Sequence, residues 1–290
     1  MSAAAPAAAP TAGLRVLERF RRHRLAMFGA VTIATLTLAC FLGPFLLPFD
    51  DTYIDIMQRF AAPFGGAHIL GTDELGRDML ARILMGGRVS LLVGFVAMAI
   101  GMAVGILVGA VAGYYGGLVG TALMRFVDAV LCFPAIFLLL ALAALVEPGL
   151  TSITLLIAAT AWMDVARIVE GQIRSLRERD FAVAAEVLGA TDRYIILREL
   201  VPNAVAPIVV AATLNVARAI LLESYVSFLG YGIQPPVPSW GNMLNNAQIY
   251  LTSAPWLAIL PGIAITLAVT SFNFLGDGLR DALDPRMDGR

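Results

Sequence analysis

The sequence predicts an all-α integral membrane protein with six transmembrane helices and both termini on the cytoplasmic side. Three observations predict it. The chain of 290 residues is 59% hydrophobic and only 14% charged, with a mean hydropathy of +0.82, well outside the range of a soluble globular domain. Its apolar residues fall into uncharged runs of roughly 20 residues, the length that crosses a hydrocarbon core about 30 Å thick at 1.5 Å per residue. Its arginines cluster beside alternate runs, as the preference for basic residues on the inner side requires.

The predicted spans are residues 25–47, 89–112, 126–146, 150–169, 203–226 and 256–275. The uncharged stretch from Val89 to Met124 is too long for one helix, and the turn-forming YYGG at 114–117 ends it. The stretch from Ser224 to Gly276 is longer still, and QPPVPSWGN at 234–242 interrupts it, because consecutive prolines remove backbone donors. That segment reads either as a re-entrant plug or binding-protein contact, or as a stiff connector. Trp240, Tyr250 and Trp256 are read as headgroup-level anchors.

Arginine sets the sidedness. Arg15, Arg19, Arg21, Arg22 and Arg24 precede the first span, and Arg125 lies between the second and third. Arg167, Arg174, Arg177, Arg179, Arg193 and Arg198 lie between the fourth and fifth, and Arg280, Arg286 and Arg290 follow the sixth. All these segments are cytoplasmic if the N-terminus is inside. The first outer loop resists the rule with Arg59, Arg77 and Arg82, but it also carries Asp50, Asp51, Asp55, Asp73, Glu74 and Asp78.

Every basic residue is arginine, and lysine is absent. A P-loop needs its lysine on the nucleotide phosphates and Schiff-base chemistry needs an amine, so any ATP that drives this protein is hydrolysed by another chain. No catalytic, cofactor-binding or metal-binding residue is expected here. Cys40 and Cys132 lack the paired spacing of a zinc or redox motif and read as small hydrophobes. His23 and His68 lie outside the apolar runs and read as surface histidines, which argues against a membrane-embedded hydrolase. The uncharged start MSAAAPAAAPTAG makes no cleavable signal peptide, so the first span is expected to be a retained anchor.

The segment 14–24 spaces Leu14, Leu17 and Phe20 at helical intervals among arginines, as a helix in the headgroup layer does; a plain orienting tail is the other reading. Gly101, Gly105, Gly109 and Gly113 recur every fourth residue and predict close approach by a neighbouring helix, in this chain or in a partner.

Between the fourth and fifth spans, Asp180 is positioned to cap a short helix on which Phe181, Ala184, Ala185 and Leu188 form one apolar stripe. Gly189 stands where a C′ glycine would, and Thr191 or Asp192 begins a second helix running to Pro202. Small alanines let the short helix approach a partner groove, whereas a linker resting on lipid would favour Leu, Trp or Phe. The expectation is a docking helix.

AAEVLG, with Pro202 thirteen positions after Gly189, resembles the EAA loop of ABC importer permeases. The likeness rests on Ala184, Ala185, Gly189 and Pro202, and departs from the motif at Val183, Glu199 and Val201. LGTDELGRDMLARILMGGRVSL at 70–91, SFLGYGIQPPVPSWGNML at 227–244 and NFLGDGLRDALDPRM at 273–287 resemble the C-type permease of dipeptide, oligopeptide and nickel importers.

The resemblance implies a type I ABC importer permease fold in the bacterial cytoplasmic membrane, with no nucleic-acid partner. It also implies a sister permease, two cytoplasmic ATPases that bind the ATP and magnesium, and an extracytoplasmic solute-binding protein. The domain reading is then a cytoplasmic tail with an interfacial helix at 1–24, the first span at 25–47 and an outer loop at 48–88. A permease core follows at 89–280, with its coupling loop at 170–202, and a cytoplasmic tail at 281–290. Phe181, Ala184, Ala185, Leu188, Gly189 and Pro202 carry the coupling to the ATPases.

Arg218 and Glu223 interrupt the fifth span. One reading places them on the translocation pathway; the other pairs each with an opposite charge elsewhere in the bundle, since five residues is about 140° of helix and they cannot serve one another. Asp128 with Arg125, and Asp164 with Arg167, read as local i, i+3 ion pairs. The function expected is an importer for di- or oligopeptides, with nickel or another small solute as the alternative cargo. A secondary transporter fits less well, because Glu223 is the one plausible ion-coupling carboxylate and no repeat is visible.

Overall fold

The computed structural model describes residues 12–283. The expected tails therefore fall largely outside the described residues, including Arg286 and Arg290. His23 divides the first helical stretch, with α1 (Ala12–Arg22) before it and α2 (Arg24–Leu42) after it. The His23 Nδ1 caps α2 by accepting from the Ala26 N–H at 3.1 Å, and its Nε2 stands 3.4 Å from Asp281. This histidine is a corner piece and not an idle surface residue. On α1, Phe20 reaches the last helix beside Gly278, while Leu17 stays exposed.

The segment between α2 and the next helix is folded around buried charge. Asp73 accepts from Arg77 Nε at 2.7 Å and from the Leu75 and Arg77 N–H groups, with Arg82 Nε at 3.3 Å. His68 Nδ1 meets Asp78 Oδ2 at 2.8 Å with both side chains buried, correcting the surface reading of His68. Burial is tolerable because His68 Nδ1 and the carboxylate oxygens of Asp73 and Asp78 have hydrogen-bonded partners.

The same network explains why α3 (Met79–Tyr115) begins ten residues before the uncharged run. Asp78 caps it through the Ala81 N–H at 2.7 Å, Arg82 is held by Asp73, and Arg88 donates to the Phe41 carbonyl at 2.7 Å beneath the Phe41 and Phe45 rings. Counting uncharged residues truncates a helix whose arginines have such partners. At 37 residues, α3 is about 55 Å long and must project beyond the hydrocarbon core.

After α3 come α4 (Gly117–Leu131) and α5 (Ala135–Ala143), bent by 80°. One straight span over 126–146 was expected. Pro134 prevents it, because proline supplies no N–H and its ring excludes the preceding residue from helical geometry. The long α6 (Leu150–Arg177) follows, and its contact with α3 is the central seam of the fold. A Cβ on Gly105 would lie 2.5 Å from Val165 Cβ, one on Gly109 2.5 Å from the Ala166 carbonyl oxygen, and one on Gly113 2.7 Å from that of Glu170. The neighbour that the glycine stripe accommodates is therefore in this chain.

The chain continues through α7 (Asp180–Val187), α8 (Asp192–Tyr194), a π-helical turn (Ile195–Leu200) and α9 (Val201–Asn203) into α10 (Val205–Phe228). A regular second helix was expected here. The Val201 N–H instead bonds the Ile196 carbonyl five residues back; this wider turn fits a stretch entering Pro202, whose ring would crowd the carbonyl four residues before it.

Then α11 (Trp240–Ala247) folds back against α3, α10 and α12 (Trp256–Leu283). Trp240 is fully buried against Gly87, with its indole N–H on the Ile83 carbonyl at 3.0 Å. Trp256 donates to the Thr72 carbonyl at 3.2 Å, and Tyr250 packs on Phe60 with ring centroids 4.8 Å apart. These aromatics hold protein to protein, and Trp240, fully buried, is core and not the headgroup anchor expected of it. Among the described residues, five helices are long and apolar enough to cross a membrane, and the bent α4–α5 pair makes a sixth span if taken as one.

Candidate functional site at the arginine-rich end

The helix α7 has two faces. Ala182 is buried, and Ala185 and Ala190 are half-buried against a cluster that includes Tyr114, Ile173, Ile195 and Leu200. The other face carries Phe181, Val183, Ala184, Val187 and Leu188, all exposed, with Val187 at 81% and Leu188 at 86%. Of the predicted stripe, Phe181, Ala184 and Leu188 project outward. Ala185 turns toward its own chain, because the wide π turn beside it supplies an apolar surface that the sequence pattern does not reveal.

The ends of α7 are chemically distinct. Arg179 occupies the N-cap position without a side-chain cap bond, and Asp180 sits one position inside, where its charge favours the positive end of the helix dipole. The expected Asp180 cap is corrected accordingly. Gly189 has φ +81°, the left-handed geometry that glycine adopts without steric cost. The Ala190 N–H bonds the Ala185 carbonyl at 3.0 Å and the Gly189 N–H bonds that of Glu186 at 2.9 Å, the paired bonds of a Schellman ending. Thr191 then caps α8 through the Tyr194 N–H at 3.4 Å. Pro202 is exposed in α9.

Beside α7 opens a cleft of about 770 Å³ lined by α3, α4, α6 and Val183. Its charged lining is Arg125, Asp128, Arg167, Glu170, Arg174, Arg177 and Glu178. Arg177 anchors the corner by donating to the Tyr114 carbonyl and covering the Tyr114 ring at 5.0 Å, while the Tyr114 hydroxyl donates to Asp192 at 2.9 Å.

The local ion pairs expected on α4 and α6 do not form as read. Asp128 pairs with Arg167 across α4 and α6, and Asp164 pairs with Arg218 across α6 and α10. Helix rotation places these groups opposite one another, which i, i+3 spacing cannot reveal. Among the described residues Glu223 has no basic partner; it accepts from Ser90 Oγ at 2.9 Å and Ser227 Oγ at 2.8 Å in a fully buried site. Sequence reasoning missed this hydroxyl cage. Ser227, one helical turn from Glu223, was the available signal, whereas Ser90 lies 133 residues away.

The chain matches two family models. Residues 105–289 match the binding-protein-dependent transport system inner membrane component, and residues 12–63 match the N-terminal transmembrane domain of oligopeptide transport permease C. It is 40% identical over 270 residues to the oligopeptide transport system permease protein OppC of Haemophilus influenzae, covering 93% of this chain and 87% of that protein. It is 41% identical over 273 residues to the glutathione transport system permease protein GsiD of Shigella flexneri serotype 5b, covering 94% and 90%. The fold also resembles a chain of the MetNI methionine ABC transporter in an inward-facing conformation, with a TM-score of 0.60 and 19% identity, over 71% of this chain and 98% of that one.

Helices that span a membrane, a type I ABC importer permease fold and matches over most of the chain converge: the protein belongs to the binding-protein-dependent transport system inner membrane components, as a multi-pass permease of the ABC peptide-transport family.

Proposed function

We propose that this chain is one permease of an ATP-driven importer for small peptides, pairing with a related sister permease to enclose the pathway. The arginine-rich end, with both termini, faces the cytoplasm, as the charge distribution favours. Two separate ATPases bind ATP and magnesium, and α7 receives their movement. An extracytoplasmic binding protein delivers the cargo. OppC and GsiD, similar to this chain in equal degree, are named for oligopeptides and for glutathione, which favours peptide cargo over nickel.

The observation that carries the coupling role is the exposed apolar face of α7. Phe181, Val187 and Leu188 project from a helix whose opposite face and C-terminal cap are locked to the core, so work applied to that face reaches α6 and α10 without loosening α7 first. Ala184 is the small exposed residue at its centre. Placing arginine there is expected to release the co-purifying ATPases or to uncouple hydrolysis from transport. Full co-purification with full coupling in Ala184→Arg would refute the docking role. The ligand retained in the cognate binding protein decides between peptide and nickel.

A further inference from the structure

Four charged side chains form a line across three helices: Asp128 on α4, Arg167 and Asp164 on α6, and Arg218 on α10, joined as two cross-helix ion pairs. Asp164 stands 14 residues after the start of α6 at Leu150, about 21 Å along its axis, and Arg218 stands 10 residues before the end of α10 at Phe228, about 15 Å along that axis. Measured from those ends, a hydrocarbon core about 30 Å thick holds Arg218 near its middle and Asp164 about 9 Å inside its far face. Yet the side chains are open: 54% for Arg167, 43% for Asp128, 47% for Arg218 and 33% for Asp164.

Half-exposed charges at that depth cannot face lipid without a cost of several kcal/mol, so they face water or another protein. For the α4–α6 pair the cleft points to water: Asp128 and Arg167 line its wall, and its volume of about 770 Å³ is that of a small-molecule site; Asp164 and Arg218 continue the line beyond that wall.

We propose that these two ion pairs are a charge ladder that conducts a zwitterionic cargo by exchange of partners. The cargo ammonium replaces an arginine on Asp164 or Asp128, and the cargo carboxylate takes the guanidinium so released. A ligand bearing both signs substitutes for an ion pair with no change in net charge, whereas a singly charged one leaves a charge within the membrane without its counter-charge. Asp164 and Arg167 are about 4.5 Å apart along α6, within the reach of a short peptide at about 3.5 Å per residue. This inference rests on the proposed function as a peptide permease and adds the side chains that recognise the cargo termini.

The test uses the complete transporter, with sister permease, ATPases and binding protein, in membranes. In a Cys132→Ser background, where Cys40 remains buried, Asp164→Cys is expected to react with a charged, membrane-impermeant methanethiosulfonate. A saturating free-terminus tripeptide should slow that reaction at least tenfold. No reaction, or reaction indifferent to the peptide, would overturn the ladder. In proteoliposomes, Arg218→Met is expected to lower transport of the same tripeptide at least tenfold with the complex intact. Unchanged transport, or loss of the sister permease from the complex, would instead make Arg218 a spectator or an interface residue. The charge-swapped pair Asp164→Arg with Arg218→Asp guards against misfolding: it should assemble but stay slow, and full recovery of transport would reduce the pair to a structural tie. A parent transporter that moves no peptide at all would defeat the proposed function, while the labelling would still report whether water reaches Asp164.

Discussion

Arg218 and Glu223 share a helix, five residues apart, and have opposite surroundings. The Arg218 side chain is half-exposed and paired to Asp164 on α6. Glu223 is fully enclosed and takes its hydrogen bonds from Ser90 on α3 and Ser227 on α10. Ser90 Oγ in turn accepts from the Trp240 N–H at 3.2 Å. One carboxylate thus ties α3, α10 and the start of α11 together. A charge within the membrane is consequently not a single category. The rotation of about 140° between the two positions separates a half-exposed side chain from one on which three elements close.

This contrast is open to attack, beginning with its largest expected effect. Trp240→Ala removes the indole that fills the space beside Gly87 and its hydrogen bond to Ile83. A loss of about 3–5 kcal/mol is expected, visible as a marked drop in the thermal midpoint of the detergent-solubilised complex. A midpoint within a degree or two of the parent would show that α11 does not depend on this anchor.

Glu223→Ala strands two buried hydroxyls and should cost about 2–3 kcal/mol; protease sensitivity of the 228–240 segment should rise with it, and an unchanged digestion pattern would sever Glu223 from that loop. Glu223→Gln keeps the shape and lets one serine reverse its hydroxyl, so about 1 kcal/mol is expected by the same thermal assay. If the glutamine variant is as unstable as the alanine one, charge and not hydrogen bonding holds the cage. Arg218→Met should cost less than about 1 kcal/mol, as for other solvent-reached ion pairs, despite the large loss of transport expected of it. A stability loss as large as that of Trp240→Ala would mean that water does not reach this pair.

Much of the architecture was readable from local chemistry. The short helix before Gly189, the packing role of the glycine stripe and the interruption at 234–242 each follow from residues near one another in sequence. The reading failed where partners came from afar. Asp128 and Asp164 were assigned to arginines on their own helices, yet their partners lie 39 and 54 residues away. Ala185 was placed on the outward stripe, but the neighbouring π turn draws it inward. His68 looked like a surface residue because its partner Asp78 and the segment enclosing it are too polar to announce a core.

The sequence by itself determined which segments are apolar enough to cross a membrane, which end gathers the arginines and where α7 stops, because hydropathy, charge and turn geometry act over a few residues. Only the tertiary structure decided that the glycine stripe meets α6, that Trp240 is core, and which charges of α6 and α10 are paired in the open while Glu223 is sealed. Those outcomes depend on helix rotation and on contacts between distant segments, which no local property of the chain encodes.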